Sequence, residues 1–114
     1  MDKQRKKEII TEYKQQKSKG GVYCIFNKET GKRFIKGECN LEAVKNRFSF
    51  SQKINSPYTV VMTADWMQYG PDGFALEILE EIEIKNEESP GAFRDRLKKL
   101  EEQWREKYPQ ELLY

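Results

Sequence analysis

Residues 21–37 read Gly21-Val22-Tyr23-Cys24-Ile25-Phe26-Asn27, then Lys28-Glu29-Thr30-Gly31, then Lys32-Arg33-Phe34-Ile35-Lys36-Gly37. The first segment is dense in β-branched and aromatic residues, the second has turn composition, and the third resumes with an aromatic and a β-branched residue. That order predicts a β-hairpin with strands over 21–27 and 32–37. One phenol, Tyr23, opens the hairpin. A second aromatic ring, Phe34, stands on the return strand with ten residues between the two.

Working outward, residues 2–18 are charged throughout, with Ile9, Ile10 and Tyr13 at helical spacing and Gly20-Gly21 as a stop. They predict a basic N-terminal helix. Downstream, Asn40 is an N-cap for a short helix carrying Leu41, Val44 and Phe48 on one stripe. Residues 49–58 are rich in Ser, Asn and Pro and read as a loop, and 59–69 as a second short helix. Gly70-Pro71-Asp72-Gly73 is a turn. Residues 74–84 alternate in part and predict a third strand, 86–91 a polar loop, and 92–108 a long helix. On that helix Phe93, Leu97, Leu100, Trp104 and Tyr108 form a single apolar stripe. Glu101 lies on the stripe's margin, whereas Glu102 and Glu106 point to water. The expected architecture is one α+β domain over 1–114: a small three-stranded, mainly antiparallel sheet flanked by helices, with 1–20 as the basic helix and 21–114 as the core.

Composition bounds the chemistry. The 114 residues contain no histidine, which removes Ser-His and Cys-His catalysis, His-ligated zinc and an imidazole base. Acid–base work must fall to carboxylates, lysine or tyrosine. Cys24 and Cys39 have no CxxC pairing and read as reduced, buried thiols of a cytoplasmic protein. No apolar run approaches a membrane span, and no hydrophobic segment follows the basic start, so neither a membrane partner nor a signal peptide is expected. The net charge of +2 is uneven: 14 Lys/Arg against 6 Asp/Glu in residues 1–60 give +8, and 7 against 13 in residues 61–114 give −6. A basic first half suits phosphate, and an acidic second half can supply a cation site.

Several of these residues together resemble the GIY-YIG nuclease family. The chain has Gly21-Val22-Tyr23, Phe34 at family spacing, and Asn40-Leu41 opening the next helix. Asp65-Trp66 and Tyr69-Gly70 lead into 74–80, and Leu100-Glu101 stands three residues ahead of Trp104. The resemblance implies metal-assisted hydrolysis of a phosphodiester in DNA, with Mg²⁺ (or Mn²⁺) on Glu101. It gives Tyr23 the task of taking or orienting the proton of the attacking water, and has an Arg and a second Tyr steady charge on the phosphate. A single carboxylate suits Mg²⁺, which keeps most of its waters.

The match departs from the family pattern at several places. Phe34 keeps the ring of the second motif tyrosine and loses its hydroxyl. Lys36 stands where the motif glycine is expected, with Gly37 one place later. The usual Arg falls on Val44, and the polar residue four places beyond it on Phe48. Arg47, one helical turn after Val44, is the candidate replacement, and Lys36 a cation able to neutralise phosphate or lower the pKa of Tyr23. Lys32, Arg33 and Lys36 are the expected nucleic-acid contacts. The alternative is a catalytically inactive module on the same fold that binds nucleic acid or a protein. No appended recognition domain is expected, so specificity would come from the domain's own loops, a second subunit in a homodimer, or a partner.

Overall fold

The computed structural model describes residues 19–114; the helix expected over 2–18 lies outside the described residues. The hairpin forms as strands β1 (Gly20–Asn27) and β2 (Arg33–Glu38), each within a residue of expectation. Asn27 closes it, its side-chain oxygen accepting from the backbone N–H of Glu29 and Thr30, the local turn chemistry that favours Asn here. β3 (Phe74–Ile82) pairs antiparallel on the other side of β1, giving the order β2-β1-β3. Its register shifts between Val22 and Tyr23, which face Glu80 and Ile78, so Leu79 is the extra residue of a bulge. At Gly21 a Cβ would fall on the Glu80 carbonyl, which is why only glycine fits at the head of this strand.

Alternation along β1 sends side chains to two cores. Tyr23 and Ile25 face Leu41, Val44, Phe48, Met62, Trp66 and Phe74. Val22 and Cys24 join Ile35 on the opposite face, under Leu100, Trp104 and Tyr108. The first layer comes from α1 (Leu41–Ile54) and α2 (Thr63–Tyr69), the second from α3 (Pro90–Glu106). Burial on both faces explains why β1 lacks the polar alternation of a surface strand.

α1 starts as expected, Asn40 accepting from the Ala43 N–H at 3.0 Å. It then runs through residues 49–54, which the sequence assigned to a loop. Gln52 donates to the carbonyls of Pro71 and Phe74, and Asn55 ends the helix in the left-handed region (φ 52°). Tertiary bonds and a left-handed cap thus override the loop-like Ser-rich composition. The helix expected over 59–69 divides into a 3₁₀ turn (Val60–Met62) and α2. Ser89 caps α3, accepting from the Ala92 N–H, with Pro90 in the first turn. Both cysteines are free, as expected, but Cys39 is exposed and only Cys24 is buried. No helix among the described residues is long and apolar enough to cross a membrane.

Candidate active site at the end of strand β2

Tyr23 is 1% exposed, and among the described residues its hydroxyl reaches one polar group, the hydroxyl of Tyr58, at 3.0 Å. Arg47, on the exposed side of α1, donates from Nη2 to that same Tyr58 Oη at 2.6 Å. The Arg47 guanidinium also lies over the Tyr58 ring, and Glu38 sits 3.8 Å from its Nη2. Tyr23 and Arg47, two residues singled out by sequence, are therefore joined through a third that was not. Burial, then the bond to Tyr58, pushes the Tyr23 pKa well above the ordinary phenol value. This runs opposite to the expectation that Lys36 lowers it: the Tyr23 side chain is buried, burial dominates, and Lys36 is exposed. The Arg47 pKa is also raised: burial acts against the charge, and the Tyr58 bond outweighs it.

Beneath Tyr58 lies an aromatic bed. Its ring meets Phe34 and Phe48 edge-on at centroid distances of 6.3 and 6.2 Å, and Tyr23 at 6.2 Å. Val44 and Phe48, at the family's polar positions, are wholly part of that core. The loop that carries Tyr58 is held at both ends. Trp66 Nε1 donates to Asn55 Oδ1 at 3.2 Å, and the Met62 N–H donates to the Thr59 carbonyl. Pro57 limits the backbone just before the tyrosine. Residues 49–58 gave no helical or strand periodicity, so sequence reading had no reason to select Tyr58. The available signal was an aromatic residue placed directly after Pro57 in a loop-like Ser/Asn segment.

Glu101 stands on the other side of β2. Its Oε1 accepts from the Gly37 N–H at 2.8 Å, and it lines a cavity of about 320 Å³ with Lys36, Glu38, Arg94 and Lys98. Gly37 makes this approach possible, since a Cβ there would lie 2.9 Å from the Leu97 carbonyl oxygen. The glycine one place after the motif position, Gly37, is thus the one that a close backbone approach requires here. Lys36, opposite Tyr23 in the β1–β2 register, is an exposed cation at the strand edge. Glu38 connects the two sides, touching Arg47 on one and lining the cavity on the other.

Two expected nucleic-acid contacts are placed elsewhere. Arg33 is half-buried between the rings of Phe26 and Tyr108 and donates to Cys24 Sγ at 3.4 Å. Its guanidinium braces the second core layer instead of facing solvent. Lys32 lies over the Tyr114 ring, 5.2 Å from its centroid, at the far end of β2. Among the described residues no group of three or more Cys, Asp or Glu could enclose a metal ion. Any cation here would rest on Glu101 with mostly water and substrate ligands.

No protein-family model matches the chain, and no curated protein matches it. Solved structures do. The catalytic domain of the homing endonuclease I-TevI superposes with a TM-score of 0.57 at 19% identity, over 77% of this chain and 86% of that one. A mutant of the catalytic domain of the intron endonuclease I-TevI gives the same TM-score at 18% identity, over 78% and 82%. The α+β architecture built on the Gly21-Val22-Tyr23 hairpin is a GIY-YIG-like fold.

Proposed function

We propose that this domain is a divalent-metal-dependent nuclease that hydrolyses phosphodiester bonds in DNA. One observation carries the reading. The hydroxyl of Tyr23 and the guanidinium of Arg47 meet on a common atom beside the end of β2, and Glu101 faces a cavity across that same strand. The likeness of fold to structures named as intron and homing endonucleases supports nucleic acid as the substrate class.

The donor set fits Mg²⁺ in a limited way. Glu101 is oriented by Gly37 through one oxygen, which leaves the other for a cation that prefers to keep its waters. When bound, the metal supplies Lewis-acid activation of the phosphate and a more acidic water. The chain's own residues do the rest. Arg47 neutralises charge that develops on the phosphate as the water oxygen bonds to phosphorus and the P–O ester bond breaks. Lys36, Arg94 and Lys98 line the cavity as cations for neighbouring phosphates. The water's proton departs to solvent, and the leaving oxygen takes one back.

The test is nicking of supercoiled plasmid by the full chain with Mg²⁺ or Mn²⁺ and an EDTA control. Glu101→Ala and Arg47→Ala should abolish conversion. Failure to cleave any form of DNA or RNA in either metal would reject the reading. The apolar bed of Phe34, Val44 and Phe48 favours a second reading, a binding module on the same fold. That reading expects salt-dependent retention on DNA without nicking.

A further inference from the structure

We infer that Tyr58 has taken over the work of the hydroxyl missing from Phe34, and donates its O–H to the phosphate undergoing hydrolysis. This rests on the phosphodiesterase reading above and adds a catalytic residue to it. The argument begins with hydrogen-bond capacity. A phenol oxygen has two lone pairs and one proton. Arg47 Nη2 fills one lone pair of Tyr58 Oη at 2.6 Å. Tyr23, which keeps its own proton, can fill the other from 3.0 Å. With both lone pairs occupied, the Tyr58 proton is left to point at a ligand. The charged group bonded to the Tyr58 oxygen is a guanidinium, so the ligand this hydroxyl suits is an anion.

Position supports the same assignment. Tyr58 is half-exposed where Tyr23 is buried, and it lies on the substrate-accessible side with the exposed Arg47. The three edge-on aromatic contacts fix its ring. The Asn55–Trp66 bond and Pro57 fix its loop. Such double support, rings below and a tethered loop behind, is what holds a reacting group in one geometry. Phe34 retains the ring of the motif and serves as part of the floor, while a residue 24 positions later presents the hydroxyl.

The experiment compares wild type, Tyr58→Phe and the exchange variant Phe34→Tyr/Tyr58→Phe, each checked for folding by near-UV circular dichroism. Tyr58→Phe should keep the aromatic contacts and lower kcat about 10²–10³-fold, the cost of losing one transition-state donor, with KM little changed. Restoring a hydroxyl at position 34 should recover part of the loss, which a merely structural Tyr58 would not allow. A second measurement uses the wild type alone. The Tyr58 ring signals in NMR should move on adding a cleavage-resistant phosphorothioate duplex. Nicking by Tyr58→Phe at the wild-type rate, or Tyr58 signals unmoved by bound duplex, overturns the inference and leaves the nuclease reading standing. A wild type that nicks nothing overturns both, so the two failures are distinct.

Discussion

Tyr23 was readable from the sequence as a candidate for proton transfer, but its surroundings redefine what it can do. Because burial and the Tyr58 bond raise its pKa, it stays protonated through the neutral range, and in the arrangement inferred above it donates to Tyr58 and positions it. Tyr23→Phe should therefore cost about one hydrogen bond, ~1 kcal/mol, and slow nicking roughly fivefold, less than Tyr58→Phe. The sign of the linkage follows from the direction of the shift. The stability that Tyr23 contributes is fully present below the ordinary phenol value of 10.0 and is lost as pH rises above it. Urea midpoints between pH 8 and 11 should fall less steeply for Tyr23→Phe than for wild type, and equal slopes would refute a buried, protonated Tyr23. Cysteine gives a second residue-scale prediction. Burial raises the Cys24 thiol, the bond from Arg33 partly opposing it, whereas Cys39 is exposed. A thiol reagent at pH 8 should label one cysteine in the native chain and two after denaturation. Arg47 was legible because helical periodicity places it one turn from Val44. Tyr58 was not, because its role depends on contacts with residues 35 and 11 positions away, which no local pattern encodes.

At the scale of elements, the strands and the apolar stripes were legible, since a two-residue or 3.6-residue period is written directly in hydrophobicity. The extension of α1 through residue 54 was not, because it is decided by Gln52 reaching carbonyls of Pro71 and Phe74. The junction of β2 and α3 is the element pair that holds the Glu101 carboxylate, the metal ligand of the proposed function. Gly37 donates to Glu101 and leaves no room for a Cβ against the Leu97 carbonyl. Gly37→Ala should push α3 outward, costing about 1–3 kcal/mol as overpacking, and should also lower nicking by displacing Glu101. A urea midpoint like that of wild type would show that the helix yields without strain. The turn before α3 carries a pH-dependent contact of its own. Glu88 accepts from the Lys85 N–H and pairs with Arg96 at 2.8 Å. First that backbone bond and then Arg96 hold its carboxyl below the ordinary 4.5. Its contribution is present above that value and disappears as pH falls through the lower folded one. Thermal midpoints of wild type and Glu88→Gln should therefore differ at pH 7 and converge at the acid end.

At the scale of the whole molecule, the sequence gradient from basic to acidic halves does not translate, among the described residues, into a basic face and an acidic face. Arg33 belongs to the basic half, yet it is held between Phe26 and Tyr108. Arg94 and Lys98 belong to the acidic half, yet they line the cavity beside Lys36. The exposed cations that gather around the end of β2 are thus Lys36 and Arg47 from one half of the chain and Arg94 and Lys98 from the other. If DNA lies across this end, each cation that meets a phosphate releases about one counterion, and the dependence of affinity on salt steepens accordingly. Lys36→Ala or Lys98→Ala should weaken binding of a fluorescent duplex and reduce the slope of log K against log salt by about one. Arg33→Ala should leave the slope unchanged and lower the urea midpoint instead, because it removes a brace of the second core layer. The converse pattern, a slope reduced by Arg33→Ala and untouched by Lys36→Ala and Lys98→Ala, would move the nucleic-acid surface away from the end of β2 and separate it from Arg47 and Glu101.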